Sequence, residues 1–344
     1  MSTFKHLSSW ITLSFVVLVT VLALKCSGFN SMPGTVPVKK LQLDFPVKVL
    51  KCSNDGSVIA VGVRSGEILL IDSETWEVKS RFFAAKNLVS GISFSPDDKL
   101  IACCSETDTV SIFDVKTHQL IHDFHDPDQE DVRSIQFSPD GKLFCVGTAD
   151  GSVRLISTES WNVTVRFHEA NAKMIIPGGT PIVYKVAFLP NGREIAIGLH
   201  HGTLLLSTNG LTEIKAFPVT KRAIDNVTVS YDGKWMATAG EVSQMWRLDG
   251  QGETVSIRNE YRGSFRSLDF SSDGKFLLVG IAGNRDQHSL VLVYSLEQGR
   301  VITQFSCHAD SLADACFIPG THRIVTAAYD GAVLEWSLNL EEPK

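Results

Sequence analysis

The chain lacks most of what marks an enzyme. It has no C-x-x-C pair, no phosphate-cradling glycine loop, and no His, Cys, Asp and Glu set at metal-ligand spacing. Neither sign of charge dominates: 32 Lys and Arg face 38 Asp and Glu, a net charge of −6 in 344 residues. A mildly acidic chain with pI near 5.9 has no bulk attraction for nucleic acid or anionic lipid. With 44% hydrophobic residues it is neither disordered nor collagen-like, and a single long apolar run excludes a multi-pass membrane protein. Gaps between apolar segments are mostly two to six residues, too short for the crossover helices of a parallel α/β fold.

The one long apolar run comes first. Residues 7–24 carry no charge, with WITLSFVVLVTVLAL as the dense part, Lys5 and His6 before it and Lys25 after it. This pattern predicts an N-terminal hydrophobic helix, either a signal peptide or a membrane anchor that holds the chain to the membrane if uncleaved. Cys26 and Gly28 form a small-x-small cleavage pattern, which Lys25 weakens. Residues 1–28 are therefore set apart as leader or anchor, 29–36 as linker, 37–340 as the folded domain and 341–344 as a tail. Lys5 favours an inside N-terminus and an extracytoplasmic domain; Lys25, Lys39 and Lys40 favour the alternative, a domain facing the cytoplasm from its anchor.

Seven repeats fill the remainder. Their first turns are SNDG at Ser53, SPDD at Ser95, SPDG at Ser138, LPNG at Leu189, SYDG at Ser230, SSDG at Ser271 and IPGT at Ile318. From Asp55 to Gly320 the third turn residues are spaced 42, 43, 51, 41, 41 and 47 apart. Asp-Gly and Asn-Gly supply the left-handed backbone that tight strand turns need. A period near 40–45 built of four short strands predicts an all-β, seven-bladed β-propeller. The second strands, such as SVIAVGV and KFLLVGI, are apolar on both faces, as stacked blades require. Outer strands are expected at Trp76–Phe82, His118–Phe124, Trp161–Phe167, Leu211–Phe217, Glu253–Ile257 and Arg300–Phe305. The last repeat has only three strands. The segment Lys39–Phe45 fits as its fourth, so that the N-terminal strand closes the ring.

The segments FSPDDKLIACC…TVSIFDV, FSPDGKLFCVGTADGSVRLIS and IPGTHRIVTAAYDGAVLEWS resemble the WD-repeat propeller family across residues 37–340. The family's Trp-Asp dipeptide is eroded here to Ile71-Asp72, Phe113-Asp114, Ile156-Ser157, Trp246-Arg247 and Trp336-Ser337. The resemblance implies a structural network of His308, Asp330 and Trp336 in the last blade. The third blade keeps His125 and Asp150 but has Ile156 at the tryptophan position.

Six cysteines lie beyond the leader, and burial as free thiols is the expectation; the register aims Cys103 and Cys145 toward each other from neighbouring blades, too far apart for a disulfide. Asn162-Val163-Thr164 and Asn226-Val227-Thr228 match the glycosylation acceptor pattern but fall in predicted strands. His200 and His201 are read as solvated turn residues without metal partners. One rim is built by the loops that enter each blade together with the second turns. Its candidate partner-binding residues are Met174, Ile175 and Ile176 of the longest loop, with His200, His201, Lys221, Arg222, Arg285 and Tyr329. Only Asp225, Asp269 and Asp314 place carboxylates on the innermost strands, in different blades and at different heights.

These features predict a non-catalytic scaffold, tethered or exported, that presents a propeller rim to protein partners without a cofactor and without nucleic acid. The alternative is an exported propeller enzyme, hydrolase or lactonase-like, with its site in the central channel.

Overall fold

The computed structural model describes residues 36–340 apart from 126–127, 129, 169–181, 201, 219–223, 241–242, 250–253, 258–262, 284–287 and 339. The leader at 7–24 and the tail lie outside the described residues. No helix among those residues is long and apolar enough to cross a membrane.

The repeated turn has a clear chemistry. In the first blade Ser53 Oγ donates to Asp55 Oδ1 at 2.7 Å, and the Val58 amide donates back to Ser53 Oγ at 2.9 Å. The same pair of bonds recurs at Ser95, Ser138, Ser230 and Ser271. Each hydroxyl therefore satisfies the first amide of the next strand and holds the aspartate that caps the turn. Gly56 takes φ +74, and a side chain there would also meet the Pro319 carbonyl at 2.6 Å.

Among the described residues these turns join twenty-eight strands into seven four-stranded antiparallel sheets, six of them in sequential order. The seventh has the order Lys39–Gln42, Ala332–Ser337, Arg323–Ala328, Leu312–Phe317, so the N-terminal strand is its outermost. Closure by this strand is as expected, although it ends at Gln42 and not Phe45, which is 41% exposed. The other outer strands also differ at their starts. They begin at Val78, Leu120, Val163 and Glu213, while Arg300 holds as expected and Glu253 lies outside the described residues. Trp76, His118, Trp161 and Leu211 sit instead in the preceding turns at φ +48 to +63. Trp76 and Leu211 are buried there, which gives a turn residue the apolar character of a strand.

The closing strand is held by more than its ladder. Lys39 lies opposite Glu335 in register, and its Nζ is 3.0 Å from the buried Glu335 carboxylate. Arg323 approaches the same carboxylate at 3.4 Å and also pairs with Glu74 of the first blade. Lys39 Nζ donates to the Glu74 carbonyl at 3.1 Å and lies over the Trp76 ring. One charge cluster thus joins the N-terminal strand, the last blade and the first.

Blades pack through rows of equivalent residues. One row on the second strands is small throughout: Gly62, Cys104, Gly147, Gly198, Ala239, Gly280 and Ala327. The reason is close approach. A Cβ at Gly62 would meet Val89 at 2.8 Å, and one at Gly280 would meet Leu312 at 2.5 Å, each the first inner-strand residue of the next blade. The innermost strands are sheet edges with unpaired amides, and side chains of the preceding blade accept several of them. Ser134 takes the Val186 amide at 3.0 Å, Ser267 the Ala315 amide at 3.0 Å and Asp314 the Leu50 amide at 3.2 Å. One step further along, Ser93, Gln136 and Asp269 take the amides of Phe137, Phe188 and Phe317.

Two outcomes test this closure. A chain lacking residues 37–46 should lose the strand paired to Ala332–Glu335, expose Val333, aggregate, and melt well below the parent; melting at the parent's temperature would refute closure. Glu335→Ala strands two partly buried cations and should cost about 2–4 kcal/mol in urea unfolding.

Candidate interaction site: the channel and its rims

The last blade contains the network that the sequence implies, with a fourth member. His308 Nδ1 lies 3.2 Å from Asp330 Oδ2, and its Nε2 lies 2.9 Å from Thr326 Oγ1. Trp336 Nε1 donates to the same hydroxyl at 2.9 Å. Thr326 was not singled out from the sequence, because a lone threonine in an apolar strand carries no signal. His308 ends the outer strand Arg300–His308 of the sixth blade, so the network also joins that blade to the last. The Thr326 hydroxyl is fully buried and already accepts from Trp336, so the network reads as structural.

The third blade departs from the expected pattern. His125 approaches Thr109 Oγ1 at 3.2 Å and Asp108 at 3.9 Å within the second blade. The Asp150 side is served instead by Arg154, a fully buried residue on the third strand. Arg154 donates to Thr148 Oγ1 at 3.1 Å and to Asp128 at 2.7 Å, and Thr148 donates to Asp150 at 2.6 Å. A buried guanidinium replaces the histidine and also holds Asp128.

The expected rim residues Met174, Ile175, Ile176, His201, Lys221, Arg222 and Arg285 lie outside the described residues. His200 is half-buried in the second turn of the fourth blade. Tyr329 sits in the second turn of the last blade, where its hydroxyl accepts from Lys48 Nζ at 3.4 Å. That contact links the rim to the channel mouth. Asn162 is exposed in the turn before Val163–His168 and not within a strand, whereas Asn226 is buried on an inner strand.

The channel is where the charges gather. At its mouth Lys48, Asp225 and Arg266 come from the first, fifth and sixth blades, with Asp225 and Arg266 3.9 Å apart. Burial raises the Asp225 carboxyl against the pull of Arg266 and Lys48. Deeper lie Lys51, Lys185, Asp269 and Asp314. Burial pushes Asp269 up to about 6, although Lys51 and the Phe317 amide oppose it. Burial also pulls Lys185 below its ordinary value in spite of Asp314. Lys51 is exposed along the channel, and its partial desolvation is outweighed by Asp269, Tyr231 and Asp314, which leave the ammonium above its ordinary value. Tyr231 stands at the opposite mouth, 53% exposed.

The three carboxylates are at different heights, as the sequence suggested. Two are committed to the scaffold: Asp269 accepts the Phe317 amide, and Asp314 accepts the Leu50 amide and the Ser267 hydroxyl at 2.6 Å. Among the described residues, no three His, Cys, Asp or Glu side chains converge to hold a metal. An open depression of about 410 Å³ lies on the first-turn face between blades six and seven, lined by Ser272, Asp273, Gly320, Thr321 and His322. His322 and Asp273 pair there at 3.1 Å, and Gly320 donates to Ser272, so its polar groups are spent on joining blades.

The resemblance to WD-repeat propellers holds in comparison with known proteins. The family model "Anaphase-promoting complex subunit 4 WD40 domain" matches residues 92–177. "WD repeat-containing protein WDS homolog" of Arabidopsis thaliana is 21% identical over 314 residues, 89% of this chain and 58% of that protein. "Telomerase protein component 1" of Rattus norvegicus is 24% identical over 259 residues, 73% of this chain and 9% of that protein. The chain thus spans less than two thirds of either relative. Among solved structures, the β-propeller domain of Cps50 (Swd1) from Myceliophteria thermophila superposes with a TM-score of 0.76. It has 11% identity and covers 89% of this chain and 100% of that domain, a likeness of fold.

Two measurements check these assignments. Thr326→Val leaves both His308 Nε2 and Trp336 Nε1 without their shared partner and should cost about 2–4 kcal/mol; an unchanged urea midpoint would mean that the network bears no load. Asp269 binds its proton more tightly folded than unfolded, so its contribution to stability should fall as pH rises from about 4 through 6. The loss is of order 2–3 kcal/mol. Asp269→Asn keeps an oxygen for the Phe317 amide, so the variant should gain on the parent by about that amount between pH 4 and 7. Parallel pH–stability curves would contradict the shift.

Proposed function

We propose that this propeller is a non-catalytic interaction scaffold whose loop rim and channel mouth receive a protein partner. The observation that carries the reading is a contrast between rows of the innermost strands. The first row is uniformly apolar: Val47, Val89, Val132, Val183, Ile224, Phe265 and Leu312, all nearly inaccessible. The next row, one residue along at the mouth, carries six residue types in seven blades: Lys48, Ser90, Arg133, Tyr184, Asp225, Arg266 and Ala313. A constant framework beneath a varied, polar and accessible ring is the arrangement of a recognition surface on a rigid scaffold. Protein partners are in keeping with the WD-repeat relatives. The commitment of Asp269 and Asp314 to backbone amides favours this reading over an exported hydrolase or lactonase-like enzyme, which would need those carboxylates free.

The same proposal places the domain outside the cytoplasm, exported or tethered through residues 7–24. Its support is the uncharged run after a short flank with Lys5 and no acidic residue. A cytoplasm-facing domain on the same anchor is the competing topology.

Capture tests the first part. Tagged chains carrying Lys48→Glu with Arg266→Glu should lose proteins that the parent co-purifies from membranes, whereas Lys142→Glu on the opposite face should retain them. Equal capture by both would refute the mouth as the binding surface. Membrane-impermeant protease on intact cells tests the second: digestion before lysis is expected, and full protection until lysis would place the domain in the cytoplasm.

A further inference from the structure

All six cysteines of the described chain are buried thiols, but their arrangement is not that of six interchangeable small hydrophobes. Cys103 packs between the first and second blades and Cys145 between the third and fourth, so the expected approach of these two does not occur. Cys104 and Cys307 belong to two further clusters. Cys52 and Cys316 share one cluster, and their sulfurs lie 2.9 Å apart.

The repeat shows how unusual this pair is. Cys316 occupies the inner-strand position from which Ser93, Gln136 and Asp269 accept an amide of the following blade. Cys52 occupies the next blade's facing position, held elsewhere by Phe94, Phe137, Phe188, Val229, Phe270 and Phe317. Two departures from the repeat therefore face each other across one seam. It is the seam between the last blade and the first, where 264 residues of chain separate the partners. Packed sheets are about 10 Å apart on average, too far for a disulfide. Blades are radial, however, and their sheets converge toward the axis, so innermost strands meet where second strands do not.

We propose that Cys52 and Cys316 are a redox modification site, a disulfide that covalently locks the ring at its closing seam. The oxidant is a small-molecule disulfide such as oxidised glutathione. One protein thiolate attacks it, forms a mixed disulfide and releases one small thiol. The second protein thiolate then attacks the protein sulfur, the Cys52–Cys316 bond forms, and the second small thiol leaves. The protein gives up two electrons and two protons, and the small disulfide is reduced to two thiols. Burial and the adjoining Cys52 sulfur hold the Cys316 thiol well above its ordinary value, so exchange is slow in the closed ring and proceeds as the seam forms or opens.

The test uses the full chain, refolded and equilibrated in excess oxidised glutathione or in reductant, alkylated, and digested without reduction. Oxidation should yield a linked peptide containing Cys52 and Cys316, lighter by two hydrogens, and should raise the thermal midpoint by about 5–10 °C in a way that reductant reverses. Cys316→Ser places in the last blade the residue that serves at Ser93. It should fold with a midpoint near the reduced parent and lose both the linkage and the redox dependence. Cys104→Ser should retain both. If Cys52 and Cys316 remain alkylatable after refolding in excess oxidised glutathione, or if another pair is linked, the proposal is overturned.

Discussion

Every sheet in a propeller has an inner edge whose amides point toward a neighbour and not toward another strand. How those amides are satisfied governs much of what is seen here. Where Ser134, Gln136, Ser267, Asp269 or Asp314 reaches across, a buried backbone donor is paired and two blades are set in register. An unmade bond at such a place would cost about 1–3 kcal/mol, comparable to a fair part of a domain's net stability. The polar residues on the innermost strands are thus explained first by the edge they serve.

That priority affects how the channel charges are interpreted. Displaced carboxyls and amines in a concave, dry place ordinarily mark a catalytic centre. In this channel Asp269 is displaced mainly by burial while it holds an amide of the next blade, and Lys51 balances it. Burying a carboxylate to fill an acceptor position requires a nearby cation, and Lys51 meets that requirement. The same logic does not extend to the mouth, where Lys48 and Arg266 are donors only and cannot serve an edge amide. That leaves the mouth as the proposed recognition surface.

The blade count, the closing strand and the inner and second strands were legible because the period of the turns is written in Ser, Asp and Gly, whose chemistry is local. Trp76 and Leu211 misled because burial in a left-handed turn looks like strand in one dimension. The partners of buried polar groups were harder to read. Thr326 is one residue among many in RIVTAA, and Arg154 in SVRLIS looks like a solvated cation, yet both are central to blade networks. Their roles depend on which blade face they occupy, a three-dimensional property that the repeat period alone does not disclose. The Cys103–Cys145 expectation failed for the same reason: the two face away from each other, Cys103 toward the first blade and Cys145 toward the fourth.

A ring closed this way has one seam unlike the others, since the outer strand that leads into the first blade is hydrogen-bonded, and not chain-linked, to the rest of the last blade. Here that seam carries the outermost-strand exchange, the cluster of Lys39, Glu335, Arg323 and Glu74, the Asp314 bond to the Leu50 amide, and the facing sulfurs of Cys52 and Cys316. These contacts differ in how they respond to surroundings. The charge cluster weakens with salt only where it is exposed, and Glu335 is not. The amide bond is insensitive to redox conditions, whereas the thiol pair is not. Opening at the seam would separate Leu41 from Val333 and disturb the neighbouring mouth at Lys48 and Tyr329, because the first and last blades contribute that pair. The stability of the seam and the shape of the proposed binding surface are therefore coupled through the same two blades.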